Sequence, residues 1–471
     1  MKAENSIPHK VHPVDEVLPL WQLGVYGFQH VLTFYAAAVI VPILLAGALG
    51  LPRNMLEHLI EADLFTCGIA SLIQSVGFWK IGVRLPLLQG VTFVAVSPMI
   101  AIGVAAGGGV EGLHQIFGAV IVAGLFSYFV APYFSKLVRF FPPVVTGSII
   151  LVIGLALLPV AANDIVNGHG PRGMEASVDM KNVAYGLGTL GAILFMQRMF
   201  TGFLQTVSVL FGLVLGTLVG WFMGDVHFDG VDTAPALSIV QPFHFGMPSF
   251  HIVPIISLMV VMMIAMLETV GDVFATGTIV KKSVTPDDIT RAIRADGLAT
   301  ALGGVFNSFP YTCFAENVGL VSLTGIRSRW VVASAAIIMM LLGCVPKLAA
   351  IMTCVPLPVL GGAALAMFAA VAVVGIQALG QVNFEHQGNT IVVGTSVGLG
   401  MLLVAQPHIT DHFPGWAQII FGSGITLGAT AAIVLNFIFN SRTPPAISSE
   451  GEVWNVVTQV SREPDMLSIR Q

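Results

Sequence analysis

The chain has 471 residues, of which 55% are hydrophobic and only 10% charged, and its mean hydropathy is +0.87. Soluble domains carry about 25% charged residues, so this composition excludes an ordinary soluble protein and predicts a polytopic membrane protein in contact with lipid. The formal net charge of −5 argues against a nucleic-acid partner.

The chain begins with a polar segment, residues 1–20, which mixes acidic and basic side chains and lacks the pattern of a signal peptide. We predict that it stays in the cytoplasm. Fourteen apolar segments of membrane-spanning length follow, and the ninth and tenth are short, are interrupted by polar residues and are separated by Pro310. Their predicted ranges are 21–49, 58–78, 85–105, 114–135, 143–162, 183–200, 206–224, 250–274, 293–308, 311–325, 330–350, 355–380, 389–406 and 416–440.

The distribution of lysine and arginine between the loops sets the orientation. With the N-terminus inside, eleven basic residues fall in inner loops and four in outer loops: Lys80, Arg84, Lys136, Arg139, Arg198, Lys281, Lys282, Arg291, Arg294, Arg327 and Arg329 against Arg53, Arg172, Lys181 and Lys347. This bias predicts an even number of spans in the inner (plasma) membrane with both termini cytoplasmic, including the tail 441–471.

Fourteen spans divide into a first seven-span repeat at 21–224 and a second at 250–440, joined by an outer linker at 225–249. Halves with an odd number of spans must be inverted relative to each other, which is a common plan of transporters with a central substrate site. The third and tenth spans occupy corresponding positions, and both are flanked by proline and carry an aromatic residue in the middle. Residues 281–294, with Pro286 and two acids near the start, predict a short surface helix ahead of the ninth span.

The stretch from Phe306 to Arg329 is the most unusual part of the chain. Pro310 and Gly319 are predicted to break a helix there, and Glu316 stands beside Asn317. Irregular backbone at membrane depth is tolerated where it is buried in protein or lines a cavity. We therefore predict a broken membrane segment that presents polar groups to a small solute.

Six ionisable residues lie inside predicted spans: His30, Asp63, Glu268, Asp272, Asp296 and Glu316. Such groups are costly in a membrane and indicate a functional site. Glu268 and Asp272 are four residues apart and share a helix face. A structural role is favoured for Asp63, whereas both roles stay open for Asp296 and His30; Gln74 and Gln89 are interpreted as packing residues. The four cysteines are predicted to be small buried residues, and their spacing indicates no metal site.

The segment Glu316-Asn317-Val318-Gly319-Leu320-Val321-Ser322-Leu323-Thr324-Gly325 resembles the signature of the nucleobase–ascorbate transporters, the nucleobase–cation symporter-2 family. Every fixed position of that signature is met. Phe306–Pro310, Glu268–Asp272 and the pair Gln29-His30 also resemble family elements, so the resemblance covers residues from about 20 to 440.

The resemblance implies an all-α fold of fourteen spans in two inverted repeats, with short β-stretches in spans 3 and 10. It implies a core domain (spans 1–4 and 8–11), a gate domain (5–7 and 12–14), a homodimer, and elevator-type transport coupled to protons without another cofactor. It also implies roles for single residues. Glu268, Glu316, Asn317, Thr92 and Phe93 would form the substrate site, and Asp272, Asp296 and His30 would support the site or proton coupling.

Most of the motifs resemble the xanthine and uric acid permease branch, but Glu316 stands where those carriers usually have glutamine. Glutamate there is more typical of uracil carriers, and an ionised glutamate accepts hydrogen bonds without donating them. The prediction is a proton symporter for xanthine or urate, with a uracil symporter as the alternative. An anion exchanger of the same general fold would place a basic residue at the site, a membrane enzyme would need a nucleophile or metal-ligand pattern, and a passive channel would not need paired carboxylates.

Overall fold

The computed structural model describes residues 12–137, 141–167, 179–228, 231–414, 417–418 and 422–440. The predicted tail at 441–471 and most of the N-terminal segment lie outside these residues. The described chain is helical apart from its loops and two short strands.

Eight helices precede the outer linker in the part of the chain that the structure describes. They are α1 (Leu20–Leu49), α2 (Arg53–Ser75), α3 (Val96–Ala105), α4 (Gly109–Leu137), α5 (Pro143–Asn167), α6 (Met180–Met199), α7 (Phe203–Thr206) and α8 (Ser208–Phe222). Eight described helices follow it: α9 (Ile252–Val280), α10 (Pro286–Val305), α11 (Ala315–Thr324), α12 (Arg329–Gly343), α13 (Pro346–Thr353), α14 (Leu357–Leu379), α15 (Gln387–Ala405) and α16 (Gly424–Asn440). Two 3-10 turns, Phe93–Ala95 and Pro407–His412, precede α3 and follow α15.

The two strands are β1 (Gln89–Val91) and β2 (Tyr311–Cys313), and they pair antiparallel in the middle of the protein. The register sets Gln89 opposite Cys313 and Val91 opposite Tyr311. Each strand lies in one of the two proline-flanked segments that the sequence singled out, and each is followed at once by a helix.

Six described helices, α1, α4, α5, α9, α14 and α15, are long and apolar enough to cross a membrane; α12 and α13 together would add a seventh, although they are bent by 78°. The shorter apolar helices include α8 and α16. The structure therefore describes a protein with several spans, and the number fourteen stays a prediction.

The helices pack in two groups. In one group α2 packs on α1, α10 and α12, while α4 packs on α3, α9 and α10. In the other group α5 packs on α14, α15 and α16, and α6 packs on α8 and α14. The strand pair belongs to the first group, where it contacts α2, α9 and α10. The assignment of these two groups as a core domain and a gate domain stays a prediction.

The surface helix predicted at 281–294 is wrong as a separate element, because one helix, α10, runs from Pro286 through the predicted ninth span. Thr285 caps it with a capping box that includes Asp288, as the N-terminal signals indicate. No proline follows Pro286 within this helix, so nothing ends it early. Close contacts at glycines hold it against α4. A Cβ on Gly297 would lie 2.5 Å from the backbone of Tyr128, so this contact requires glycine.

The prediction that Gly319 breaks a helix is also wrong, since Gly319 lies inside α11. A glycine within a helix costs about 1 kcal/mol relative to alanine, which neighbouring packing overcomes. The break falls instead at Phe309-Pro310, before β2. The predicted eleventh span is not one helix either, because the chain bends between α12 and α13, where Pro346 starts the second helix.

Candidate functional site

Two helix starts meet at the strand pair. The 3-10 turn that leads into α3 begins directly after β1, with Thr92 as its N-cap, and α11 begins after β2, with Phe314 as its N-cap. Thr92 lies opposite Pro310 and Phe314 lies opposite Leu88, so the two N-caps are four residues, or about 13 Å, apart along the ladder. Helix starts carry backbone N–H groups without intrahelical partners and a partial positive charge, which suits them to hold polar or anionic groups of a solute.

The side chain of Glu268, on α9, lies beside the helix start at Thr92. The hydroxyl Oγ1 of Thr92 donates a hydrogen bond to Oε2 of Glu268 over 3.2 Å. Glu268 is only partly exposed, in the middle of a long apolar helix. The other carboxylate oxygen remains available as an acceptor for a ligand. The structure thus brings together the predicted residues Thr92 and Glu268.

Asn317 and His30 form the second contact that joins predicted residues. Oδ1 of Asn317 lies 2.7 Å from Nδ1 of His30, and the Asn317 amide nitrogen donates to the carbonyl of Pro86 over 2.8 Å. Both side chains are buried. Asn317 is in the first turn of α11, so this pair fixes the start of α11 against α1 and against the segment before β1.

Asp296 lies on α10 directly behind the strands and is completely buried. Its Oδ1 accepts hydrogen bonds from the side-chain amides of Gln89 in β1 and Gln74 in α2. Its Oδ2 accepts a 2.5 Å hydrogen bond from Thr269 Oγ1 in α9, the residue next to Glu268. Asp296 therefore connects three elements that carry or support the site, and this geometry gives it a positioning role.

The sequence does not indicate these partners of Asp296. The amides of Gln74 and Gln89, predicted to be packing residues, both donate to Asp296, and Thr269 has no predicted role. The available signal was the presence of amide side chains in apolar segments, which need buried hydrogen-bond partners.

Aromatic rings cover one side of the strand pair. The Phe93 ring lies 6.0 Å from that of Phe314 and 5.4 Å from that of Phe368, centroid to centroid. Phe34 meets Phe314 edge-on at 4.8 Å. Phe368 belongs to α14, so Phe93 contacts the second packing group. A Cβ on Gly90 would lie 2.5 Å from the Phe314 ring, and glycine at this position lets the rings approach the strand.

Four carboxylates are concentrated around the strands. Glu268 and Asp272 follow each other on one face of α9, and the charges of Glu268, Asp272, Asp296 and Glu316 are near enough to interact. Glu316 is in the first turn of α11 and only partly exposed. The site is therefore rich in hydrogen-bond acceptors. Among the described residues, no cluster of three or more His, Cys, Asp or Glu side chains could hold a metal ion.

Asp63 and the four cysteines are the remaining residues that the sequence analysis considered. Asp63 is in the middle of α2, and it accepts hydrogen bonds from Ser308 and Tyr311. Cys67 and Cys313 are buried as expected, whereas Cys344 and Cys354 are partly exposed near the ends of α12 and α13.

Known structures share this architecture. The transmembrane domain of the cyanobacterial bicarbonate transporter BicA matches with a TM-score of 0.56 at 16% identity, over 90% of this chain and 98% of that one. The murine anion transporter Slc26a9 in its inward-facing state matches with a TM-score of 0.59 at 11% identity, over 90% of this chain and 70% of that one. At these identities the likeness establishes the fold alone.

The sequence comparison is decisive. Residues 21–409 match the family model Xan_ur_permease, described as "Permease family". The chain belongs to this family, the nucleobase–ascorbate transporters.

Relatives with curated names are similar over nearly their whole length. The chain is 41% identical to the xanthine permease of Bacillus subtilis over 414 residues, 88% of this chain and 93% of the relative. It is 40% identical to the uric acid permease PucK of B. subtilis (90% and 96% covered) and 41% identical to the uric acid transporter UacT of Escherichia coli (91% and 88% covered). The nucleobase–ascorbate transporter described here is therefore a multi-pass membrane permease and not an enzyme.

Proposed function

We propose that this permease imports an oxidised purine, xanthine or urate, in symport with protons. The observation that carries the proposal is the placement of Thr92 and Phe93 at one helix start and Glu316 at the other, beside the strand pair, with Glu268 hydrogen-bonded to Thr92. The names of the relatives support the purine class, since they are xanthine and uric acid permeases.

The chemistry of an oxidised purine suits this set of groups. Its ring edges alternate N–H donors and C=O acceptors. The carboxylates of Glu268 and Glu316 would accept from the N–H groups, while backbone N–H groups at the start of α11 would donate to the C=O groups. Phe93 would lie against the face of the purine ring, where its phenyl ring adds contact area and needs no hydrogen-bond partner.

Proton coupling is proposed from the concentration of acids. Several carboxylates close together in a low dielectric repel one another, so that a proton shared among them relieves repulsion when a substrate binds. Asp272, one helical turn from Glu268, and Asp296, bonded to β1 and α9, are the proposed participants. His30 orders Asn317 through its hydrogen bond.

The transport step is proposed to be an elevator movement of the first packing group, which holds the strand pair, against the second. Phe93 and Phe368 meet across the two groups, so this contact would have to break and reform during the movement. We further propose a homodimer in the inner membrane, in which the second group would provide the fixed interface.

Uptake into proteoliposomes tests the proposal. Labelled xanthine and urate are offered with an inwardly directed proton gradient, and a protonophore is added in a parallel sample. Accumulation above the external concentration that the protonophore abolishes is the expected result. Uptake that only equilibrates and ignores the protonophore would contradict proton symport.

One residue favours a second candidate, uracil. Glu316 offers only acceptors when ionised, and uracil presents two N–H groups with less anionic character than urate. Labelled uracil in the same proteoliposomes separates the candidates, because uracil uptake without xanthine uptake would replace the purine proposal.

A further inference from the structure

Asp63 is a buried acid that the proposed mechanism does not use. It lies in the middle of α2 with 1% of its surface exposed. Its Oδ1 accepts hydrogen bonds from the Tyr311 hydroxyl over 2.8 Å and from Ser308 Oγ over 3.0 Å. An ionisable group at this depth is costly, so its partners should indicate what it contributes.

Tyr311 is both the main partner of Asp63 and the first residue of β2. Its side chain is completely buried, and its hydroxyl also contacts Ser308 Oγ at 2.7 Å and the backbone carbonyl of Asp63 at 3.2 Å. The ring is closely packed, since a Cβ on Gly303 would lie 2.9 Å from it. The position of the Tyr311 side chain is therefore fixed by α2, and with it the start of the strand.

A short series of hydrogen bonds connects this strand start to the substrate site. Tyr311 pairs with Val91 in the ladder. The backbone N–H of Thr92, the next residue, donates to the carbonyl of Pro310 over 3.0 Å. Thr92 in turn donates to Glu268. A shift of Pro310 and Tyr311 would therefore move Thr92 away from Glu268.

We infer that Asp63 is a positioning residue for the substrate site, acting through Ser308 and Tyr311 on the strand pair. Asp63 does not touch the substrate in this account. Its carboxylate holds β2 against α2, so that Thr92 and Glu268 stay in hydrogen-bond contact. The inference rests on the proposed function only for its transport readout.

Three variants test the role of the carboxylate. Asp63→Asn keeps an acceptor oxygen for the two hydroxyls, Asp63→Leu has similar volume but no acceptor, and Tyr311→Phe removes one donor. Thr66→Val is the matched control, because Thr66 is equally buried on α2 but bonds only to the carbonyl of Ala62 in its own helix.

The readouts are KM and maximal uptake rate, normalised to the amount of protein in the membrane. We expect Asp63→Leu to raise KM about tenfold or more, because two buried hydroxyls lose their acceptor. Tyr311→Phe should raise KM less than Asp63→Leu does. The double variant Asp63→Leu/Tyr311→Phe should have a KM close to that of Asp63→Leu alone. Asp63→Asn should restore KM to near the wild-type value, and Thr66→Val should leave it unchanged. An unchanged KM in Asp63→Leu, or an equal rise in Thr66→Val, would overturn the inference.

A second readout does not depend on the substrate. In a chain in which Cys344 and Cys354 are replaced by alanine, and Cys67 by serine to keep a donor beside Asp63, the remaining thiol of Cys313 lies at the end of β2 and is 3% exposed. Its labelling by a membrane-permeant maleimide should be slow in this background and in Asp63→Asn, and faster in Asp63→Leu. Equal labelling rates would overturn the inference even if the transported substrate is not a purine. If Asp63→Leu is labelled faster but the wild type takes up no purine, the proposed function is contradicted and the inference about Asp63 is not.

Discussion

His30 and Asn317 are hydrogen-bonded partners although 287 positions separate them in the chain; the His30 Nδ1 lies 2.7 Å from the Asn317 Oδ1. The Asn317 amide nitrogen donates to the Pro86 carbonyl, which leaves its oxygen as the acceptor and assigns the proton to Nδ1 of His30. One side chain thus ties α11 to α1 and to the segment before β1.

Removal of either partner should weaken substrate binding. We expect Asn317→Ala to raise KM about tenfold, since it leaves the buried Pro86 carbonyl and His30 without a partner. His30→Ala should have a smaller effect. The double variant should be close to Asn317→Ala alone because both changes break the same contact. Additive effects in this double-mutant cycle, measured by uptake kinetics, would show that the two residues act independently.

Glu268→Gln should reduce uptake to a few per cent of wild type or less. The substitution preserves shape but removes the carboxylate that would accept the N–H groups of the base. Met266→Leu is the matched control, because Met266 is buried on the same helix and this exchange conserves volume. Uptake is compared at equal membrane protein. Substantial uptake by Glu268→Gln would remove this residue from the substrate site.

Glu316→Gln should preserve transport and shift the preference between bases. Glutamine can donate as well as accept, which suits an anionic urate better than a glutamate does. We expect the inhibition constant of urate against xanthine uptake to fall relative to the KM for xanthine. The measurement is the ratio of these two constants in wild type and variant. An identical ratio would mean that Glu316 does not touch the ring.

Asp296→Asn should be inactive. All three hydrogen-bond partners of Asp296, from Gln74, Gln89 and Thr269, are donors, and asparagine would turn an amide donor toward at least one of them. We expect uptake to fall at least tenfold, because a buried polar clash of this kind costs about 1–3 kcal/mol. Thermal unfolding in detergent should also occur at lower temperature. Normal uptake in this variant would exclude a contribution of Asp296 to the site.

Acid should destabilise the outer linker around His244 and so lower the melting temperature. Burial and the neighbouring His58 lower the pKa of His244, whose ring lies 4.0 Å from that of His58, with Glu61 as the acid facing the pair. A lowered pKa in the folded protein means that the neutral form stabilises the fold at pH above about 6.5, and that this contribution is lost as the pH falls further. The fall in melting temperature between pH 7 and pH 5 should be smaller in His244→Gln. An identical fall in both proteins would show that His244 is not the responsible group.

Much of the architecture was predictable because membrane spans follow from simple physical signals. Long apolar runs predict α1, α4, α5, α9 and α14, with ends that differ by a few residues from those of the helices. Both interrupted segments were recognised from proline beside polar residues. The continuation of α10 and the bend between α12 and α13 were not predicted, since they depend on packing against other helices rather than on local composition.

The site was predictable in its residues but not in its contacts. Motif resemblance pointed to Glu268, Glu316 and Asn317, yet no local pattern indicates that Gln89 reaches Asp296 from another half of the chain. The role of Tyr311 is a similar case. Its hydroxyl donates a hydrogen bond to Asp63, which is 248 positions away in the sequence. Only the fold of the strand pair against α2 brings these two side chains together.

The most direct test of the central claim is competition for uptake in proteoliposomes containing the purified permease. Labelled xanthine is offered with a proton gradient, against unlabelled urate, uracil, hypoxanthine and guanine, and Glu268→Gln serves as the inactive reference. We predict that urate blocks xanthine uptake and uracil does not. Uptake of labelled uracil with no xanthine signal in the same preparation would contradict the account of this site as one for oxidised purines.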